Sequence, residues 1–158
     1  MKLETKHLAP YLPYNLKCEV LNSGQEKEIG EMIAVYNDGS ACFGNIVESE
    51  KGFEYIKPIL KPMSDFETYF AKIFETDKDV KEYLNEGFIT IDNTFINIED
   101  MLTYKPECMP FGVVQLALKH HFDIFGLIEK GLAIDLNTLN QELWEKYYLE
   151  VKQKLEKK

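Results

Sequence analysis

Arginine is missing from this 158-residue chain, so every basic residue is a lysine. Arginine is the favoured residue for bidentate phosphate and guanine-edge contacts, and a basic face is the usual footprint of nucleic-acid binding. With 18 basic against 27 acidic side chains and a net charge of −9, direct binding to DNA or RNA is disfavoured. An AT-rich genome, which writes Lys in place of Arg, would leave the same pattern. Long apolar runs are also missing: no stretch approaches the roughly 18 residues of a membrane-spanning helix. Met1 to Lys6 are polar and lead into no apolar run, which predicts no signal peptide and a cytoplasmic, reducing compartment. Cysteine is scarce. Cys18, Cys42 and Cys108 are an odd, scattered set without C-x-x-C spacing, which predicts reduced, mostly buried thiols.

What the chain does contain suits a core. Hydrophobic residues make up 45% and aromatics 13%, the latter resting on nine Tyr and ten Phe against one Trp, which is too apolar for a disordered chain. The length predicts a single domain over 1–158. Pro10 and Pro13 keep a regular helix out of the first fifteen residues, although Leu8, Tyr11, Leu12 and Tyr14 can pin that segment to the body. Residues 16–60 carry strand punctuation. Leu16, Cys18 and Val20 alternate with polar neighbours, and Asn22-Ser23-Gly24 is turn chemistry. The run from Met32 to Tyr36 is followed by Asp38-Gly39, a strong hairpin signal, and by Ala41 to Val47. After a polar turn from Glu48 to Gly52 comes a strand from Phe53 to Leu60, with Pro58 arguing for a sheet edge or strand end. The expected product is an antiparallel meander of three to four strands, curled or barrel-like.

Helices are expected beyond it. Ser64 opens a capping-box pattern before Phe66, Tyr69, Phe70 and Ile73, and Thr76-Asp77 caps a second short helix closed by Gly87, together filling 64–86. A hairpin turning at Asp92-Asn93 is expected over 88–98. Helices then occupy 110–157: one opened by Pro110, a short buried one over Ile124 to Ile134 ending at Gly131, and a last one capped by Asn137 or Thr138. The expected fold class is therefore α+β, with the sheet first and a helical C-terminal half packed on it.

Chemistry-bearing clusters are few. His120 and Asp123 stand i,i+3 if their helix continues, and such a pair can seed a metal site or a general base, with His7 the only histidine outside that neighbourhood. Histidines at a helix end also serve the helix dipole, and the structural reading is preferred. Gly126 and Gly131 have phosphate-loop spacing, but Leu132 and Ala133 stand where Lys and Ser or Thr are required. No dinucleotide fingerprint, nucleophile elbow or zinc-protease motif is present, and Asp77/Asp79 and Glu99/Asp100 do not repeat at calcium-loop spacing. No cofactor is implied. On the last helix Trp144, Tyr147 and Tyr148 widen the apolar stripe; core packing is its commoner use, and a partner-binding face is the other.

Two stretches, Leu3-Glu4-Thr5-Lys6-His7-Leu8-Ala9-Pro10-Tyr11-Leu12-Pro13-Tyr14 and His121-Phe122-Asp123-Ile124-Phe125-Gly126-Leu127-Ile128-Glu129-Lys130-Gly131-Leu132-Ala133-Ile134-Asp135, resemble a group of short, uncharacterised proteins encoded in phages and prophages. The resemblance covers both ends and not the middle, roughly Gly24 to Glu107. It implies a phage accessory origin and a place of action in the host cytoplasm, and it transfers no catalytic role to any residue. The expected function is a binding protein that occupies a macromolecule with a basic surface, interfering with host defence or nucleic-acid machinery. The other classes are a small enzyme using His120 and Asp123, with or without a metal, and a virion structural or assembly protein.

Overall fold

Alternation of apolar and polar positions builds one sheet. The computed structural model describes residues 2–46, 49–66, 68–69, 88–91, 94–97, 109, 111–139, 145 and 149. The strands are β1 (Lys17–Leu21), β2 (Lys27–Val35), β3 (Ser40–Gly44), β4 (Glu50–Gly52), β5 (Ile56–Leu60), β6 (Phe88–Ile91), β7 (Thr94–Asn97) and β8 (Ile134–Asp135). The chain divides into two compact units, 1–60 with 126–158, and 61–125.

The first unit holds the six-stranded sheet in the order β4-β3-β2-β1-β5-β8. β1 to β3 form the first three strands of the expected meander, whereas the strand expected next, β5, does not follow β3 but returns antiparallel to the free side of β1. The sheet does not close into a barrel. It ends on a three-residue strand and a two-residue strand, and barrel closure needs paired edges of matched length and stagger. The Glu48–Gly52 segment, expected as a turn, contributes β4, while Phe53–Tyr55 forms a 3-10 turn before β5 starts. Pro58 lies inside the sheet, yet β8 pairs with β5 only at Ile59 and Leu60, so the proline sits where β5 has a neighbour on one side.

The turns follow side-chain chemistry. Around Asp38-Gly39, the Asp38 carboxylate accepts from the backbone N–H and the hydroxyl of Ser40 at 3.0 and 2.7 Å, and Gly39 takes φ +90°. In the first turn Asn22 Oδ1 accepts from the Glu26 N–H at 2.9 Å, but the left-handed residue is Gln25 at φ 65°, one place after the glycine. Cys18, Val20, Met32, Ala41 and Phe43 are buried, and the 3-10 segment Ala9–Tyr14 packs along β2 with Tyr11 fully buried. A helix α1 (Thr5–Leu8) precedes it, so the prolines shorten and tighten the helix without excluding it. A second apolar cluster joins Ile29 and Ile59 to Ile134, Leu136 and Leu139.

The expected helix over Ile124 to Ile134 is absent; 124–133 run as turns and bends, and Ile134 opens β8. Gly126 (φ 62°) and Gly131 (φ 69°) both adopt left-handed backbone, which leaves room for a single turn. That turn ends as a Schellman motif, the Leu132 N–H donating to Leu127 O and the Gly131 N–H to Ile128 O, each at 2.9 Å. The following 3-10 turn, Leu136–Thr138, is capped by Asp135, whose carboxylate accepts from the Asn137 N–H at 2.8 Å. The last helix lies outside the described residues apart from helical, exposed Glu145 and Leu149, so a helical C-terminal half is not established.

The second unit contains the hairpin β6–β7, paired from Phe88↔Asn97 to Ile91↔Thr94 as expected. It also contains α2 (Phe111–Lys119) and a 3-10 turn, Met63–Asp65, leading into helical backbone at Phe66, Thr68 and Tyr69. That turn begins before Ser64, whose hydroxyl faces the Asp65 carboxylate at 3.4 Å. The second short helix expected after Thr76 falls outside the described residues.

Candidate functional site

Two places bring chemistry together. The first is the end of α2 within the 61–125 unit. α2 stops at Lys119, the His121 N–H donates to Leu118 O, and the Phe122 N–H donates to Ala117 O, a Schellman motif with His121 at φ 60°. Histidine stands there where glycine is usual, so the backbone carries some strain. Because the helix ends, His120 and Asp123 do not stand on a common helical face. Asp123 is buried, and its N–H donates to Lys61 O at 2.9 Å.

His120 instead meets Tyr69, 51 positions away in the chain, whose hydroxyl lies 3.2 Å from Nδ1. With the imidazole proton on Nε2, the phenol donates to Nδ1. The Lys61 ammonium stands 3.9 Å from the Tyr69 ring centroid, a cation–π contact, and Phe122 packs edge-on against Phe66 and Tyr69 at 4.9 and 5.3 Å. Burial holds the His120 pKa below its ordinary value, reinforced by Lys61, Lys119 and His121. Among the described residues no three His, Cys, Asp or Glu side chains gather as a metal site. What the cluster can do chemically is pass a proton between phenol and imidazole.

His7, in the other unit, is buried and its Nδ1 accepts the Glu4 N–H at 3.1 Å, an acceptor role that needs the neutral ring. Burial lowers its pKa, with Lys6 and Lys130 acting the same way and Glu4 opposing. For both imidazoles the unfolded chain takes up a proton near pH 6.5 that the folded chain refuses. Their contribution to stability is therefore complete above that pH and is lost as the pH falls. The melting temperature should drop between pH 7.5 and 5.5, with His7→Gln giving a shallower slope; a flat wild-type profile would contradict both assignments.

The second place is a groove at the end of the sheet where β2 turns into β3, within the first unit. A cavity of about 640 Å³ has an apolar lining of Leu3, Phe53, Ile56 and Leu132 and charged groups from Lys2, Asp38, Glu54 and Lys57. A shallower hollow of about 350 Å³, with Glu4, Lys6 and Asn37, shares Leu3, Asp38, Gly39 and Phe53 with it. The N–H of Phe53 donates to Gly39 O at 2.8 Å, and Thr5 Oγ1 donates to Tyr36 O at 3.1 Å, which fixes the hairpin tip against the N-terminal segment and the 3-10 turn. Tyr36 (42% exposed) and Tyr55 (47% exposed) adjoin lining residues in the chain and present their rings to solvent.

Trp144, Tyr147, Tyr148 and Cys108 lie outside the described residues. Cys18 is fully buried and Cys42 half-buried, both free thiols, and burial pushes the Cys18 thiol far above its ordinary pKa. No helix among the described residues is long and apolar enough to cross a membrane. Comparison with protein-family models, curated proteins and solved structures gives no match.

Proposed function

We propose that this chain is a phage-derived accessory protein that acts in the cytoplasm of its bacterial host by binding another protein, and so interferes with host defence or nucleic-acid machinery. The observation that carries the binding reading is the groove, lined by apolar and charged residues, with two exposed tyrosines next in sequence to its lining residues. Tyrosine is enriched among the anchor residues of protein interfaces. The net charge of −9 adds a long-range field that favours a basic partner surface.

The test is capture of the tagged chain from infected host cells, with wild type and Tyr55→Ala compared side by side. The expected result is a partner recovered with wild type and lost with Tyr55→Ala at unchanged melting temperature. Full retention by the variant would remove the groove from the account. A virion component as the recovered partner would move the reading to assembly. One observation favours the enzyme reading, the Tyr69–His120 contact beneath the Lys61 ammonium.

A further inference from the structure

Helix α1 is fastened at its start by a titratable group. Its capping box is reciprocal: the Glu4 side chain accepts from the His7 N–H, and His7 Nδ1 accepts from the Glu4 N–H at 3.1 Å. The His7 ring is 3% exposed, and Leu8 and Tyr11 after it are fully buried. The residues before it are held more lightly. Leu3 is buried, but Lys2, Glu4 and Lys6 are exposed, and the Thr5 Oγ1 bond to Tyr36 O lies in solvent. Residues 3–6 nonetheless line the shallower hollow together with Asn37, Asp38 and Gly39 of the hairpin tip. The charges facing the ring are mixed. Lys6 on its own helix and Lys130 from the turn at 127–131 oppose a positive imidazole, whereas Glu4, already paired with Lys6 at 2.9 Å, favours one.

We propose that His7 is a pH-operated latch: a proton on Nδ1 turns an acceptor into a donor facing the Glu4 N–H, and residues 2–6 leave the hairpin tip, pivoting on the buried Leu8 and Tyr11. Two donors cannot satisfy each other, and a buried polar group left without its partner is costly. The closed segment therefore keeps the ring neutral, while an opened segment returns it to water and to its ordinary pKa near 6.5. Opening takes up a proton, so falling pH favours the open form. Glu or Gln is the usual residue at this capping-box position, and neither changes charge between pH 5 and 8; histidine makes the bond switchable there. With the latch open, the hollow loses the wall formed by residues 3–6, and Phe53, 9% exposed in the closed form, gains contact with solvent. The latch is a property of this chain alone and holds whether or not the groove binds a partner.

Amide hydrogen exchange followed by NMR tests the latch, with rates corrected for the intrinsic effect of pH. Protection of the Glu4 and His7 amides should fall about tenfold between pH 7.5 and 5.5, the change expected when each opening takes up one proton. The Met32 amide, which donates to Leu16 O within the sheet, should keep its protection over the same range. In His7→Gln the side-chain oxygen can still accept from the Glu4 N–H and does not titrate, so the pH dependence at Glu4 should vanish. Thr5→Val should lower protection at every pH and leave the pH dependence intact, because it removes a bond that does not titrate. His120→Gln should leave the Glu4 profile unchanged. Protection at Glu4 that is flat with pH in the wild type would overturn the proposal, and this reading needs no variant to fold. So would a pH dependence that survives in His7→Gln, or a parallel loss of protection at Met32, which would make the event global unfolding.

Discussion

Phe122→Ala should destabilise the protein by about 3–5 kcal/mol, the range for large-to-small changes at buried aromatic positions. The side chain is fully buried, and its ring meets those of Phe66 and Tyr69 edge-on, so the substitution removes two aromatic contacts and leaves a void. Its backbone is equally committed, bridging Lys61 and closing α2 through Ala117. Neither backbone contact needs the phenyl ring, so the loss measures packing. Urea unfolding is the measurement, and Phe122→Leu should fall between the two. A loss below about 1 kcal/mol would mean that the site collapses around the void, contrary to the packing described.

Gly30→Ala should also destabilise, although alanine ordinarily suits a strand better than glycine. The ring of Phe43 on β3 covers the Gly30 backbone on β2, and a Cβ there would stand 3.0 Å from Phe43 Cβ and 3.1 Å from Cδ1. Phe43 is 1% exposed and cannot swing into solvent. Overpacking of this kind costs about 1–3 kcal/mol, whereas the gain from replacing a strand glycine is about 0.5–1 kcal/mol. The steric effect wins. The double variant Gly30→Ala/Phe43→Leu should recover part of the loss, because the two sites share one contact. An unchanged or raised melting temperature for the single variant would show that the sheet yields at this crossing.

The meander was legible because its signals are local. Asp38-Gly39 encodes its own turn through the Asp38 carboxylate and a residue that accepts positive φ, and 88–98 shows the alternation of a hairpin. Local chemistry also misled. The apolar run at 124–134 resembles a helix until both of its glycines turn left-handed. The candidate sites were least legible. Tyr69 reaches His120 across 51 positions, and no motif joins them. The groove draws Leu3, Asp38, Phe53 and Leu132 from four separate segments, each of which reads alone as a loop or a core residue.

The most direct measurement of the central claim is the dissociation constant of the captured partner for wild type and for Tyr55→Ala, both verified as folded. A protein that binds through this groove should lose about 2 kcal/mol, roughly a thirtyfold rise in Kd, when the exposed ring is removed. The same Kd for both proteins would contradict the groove as the binding face.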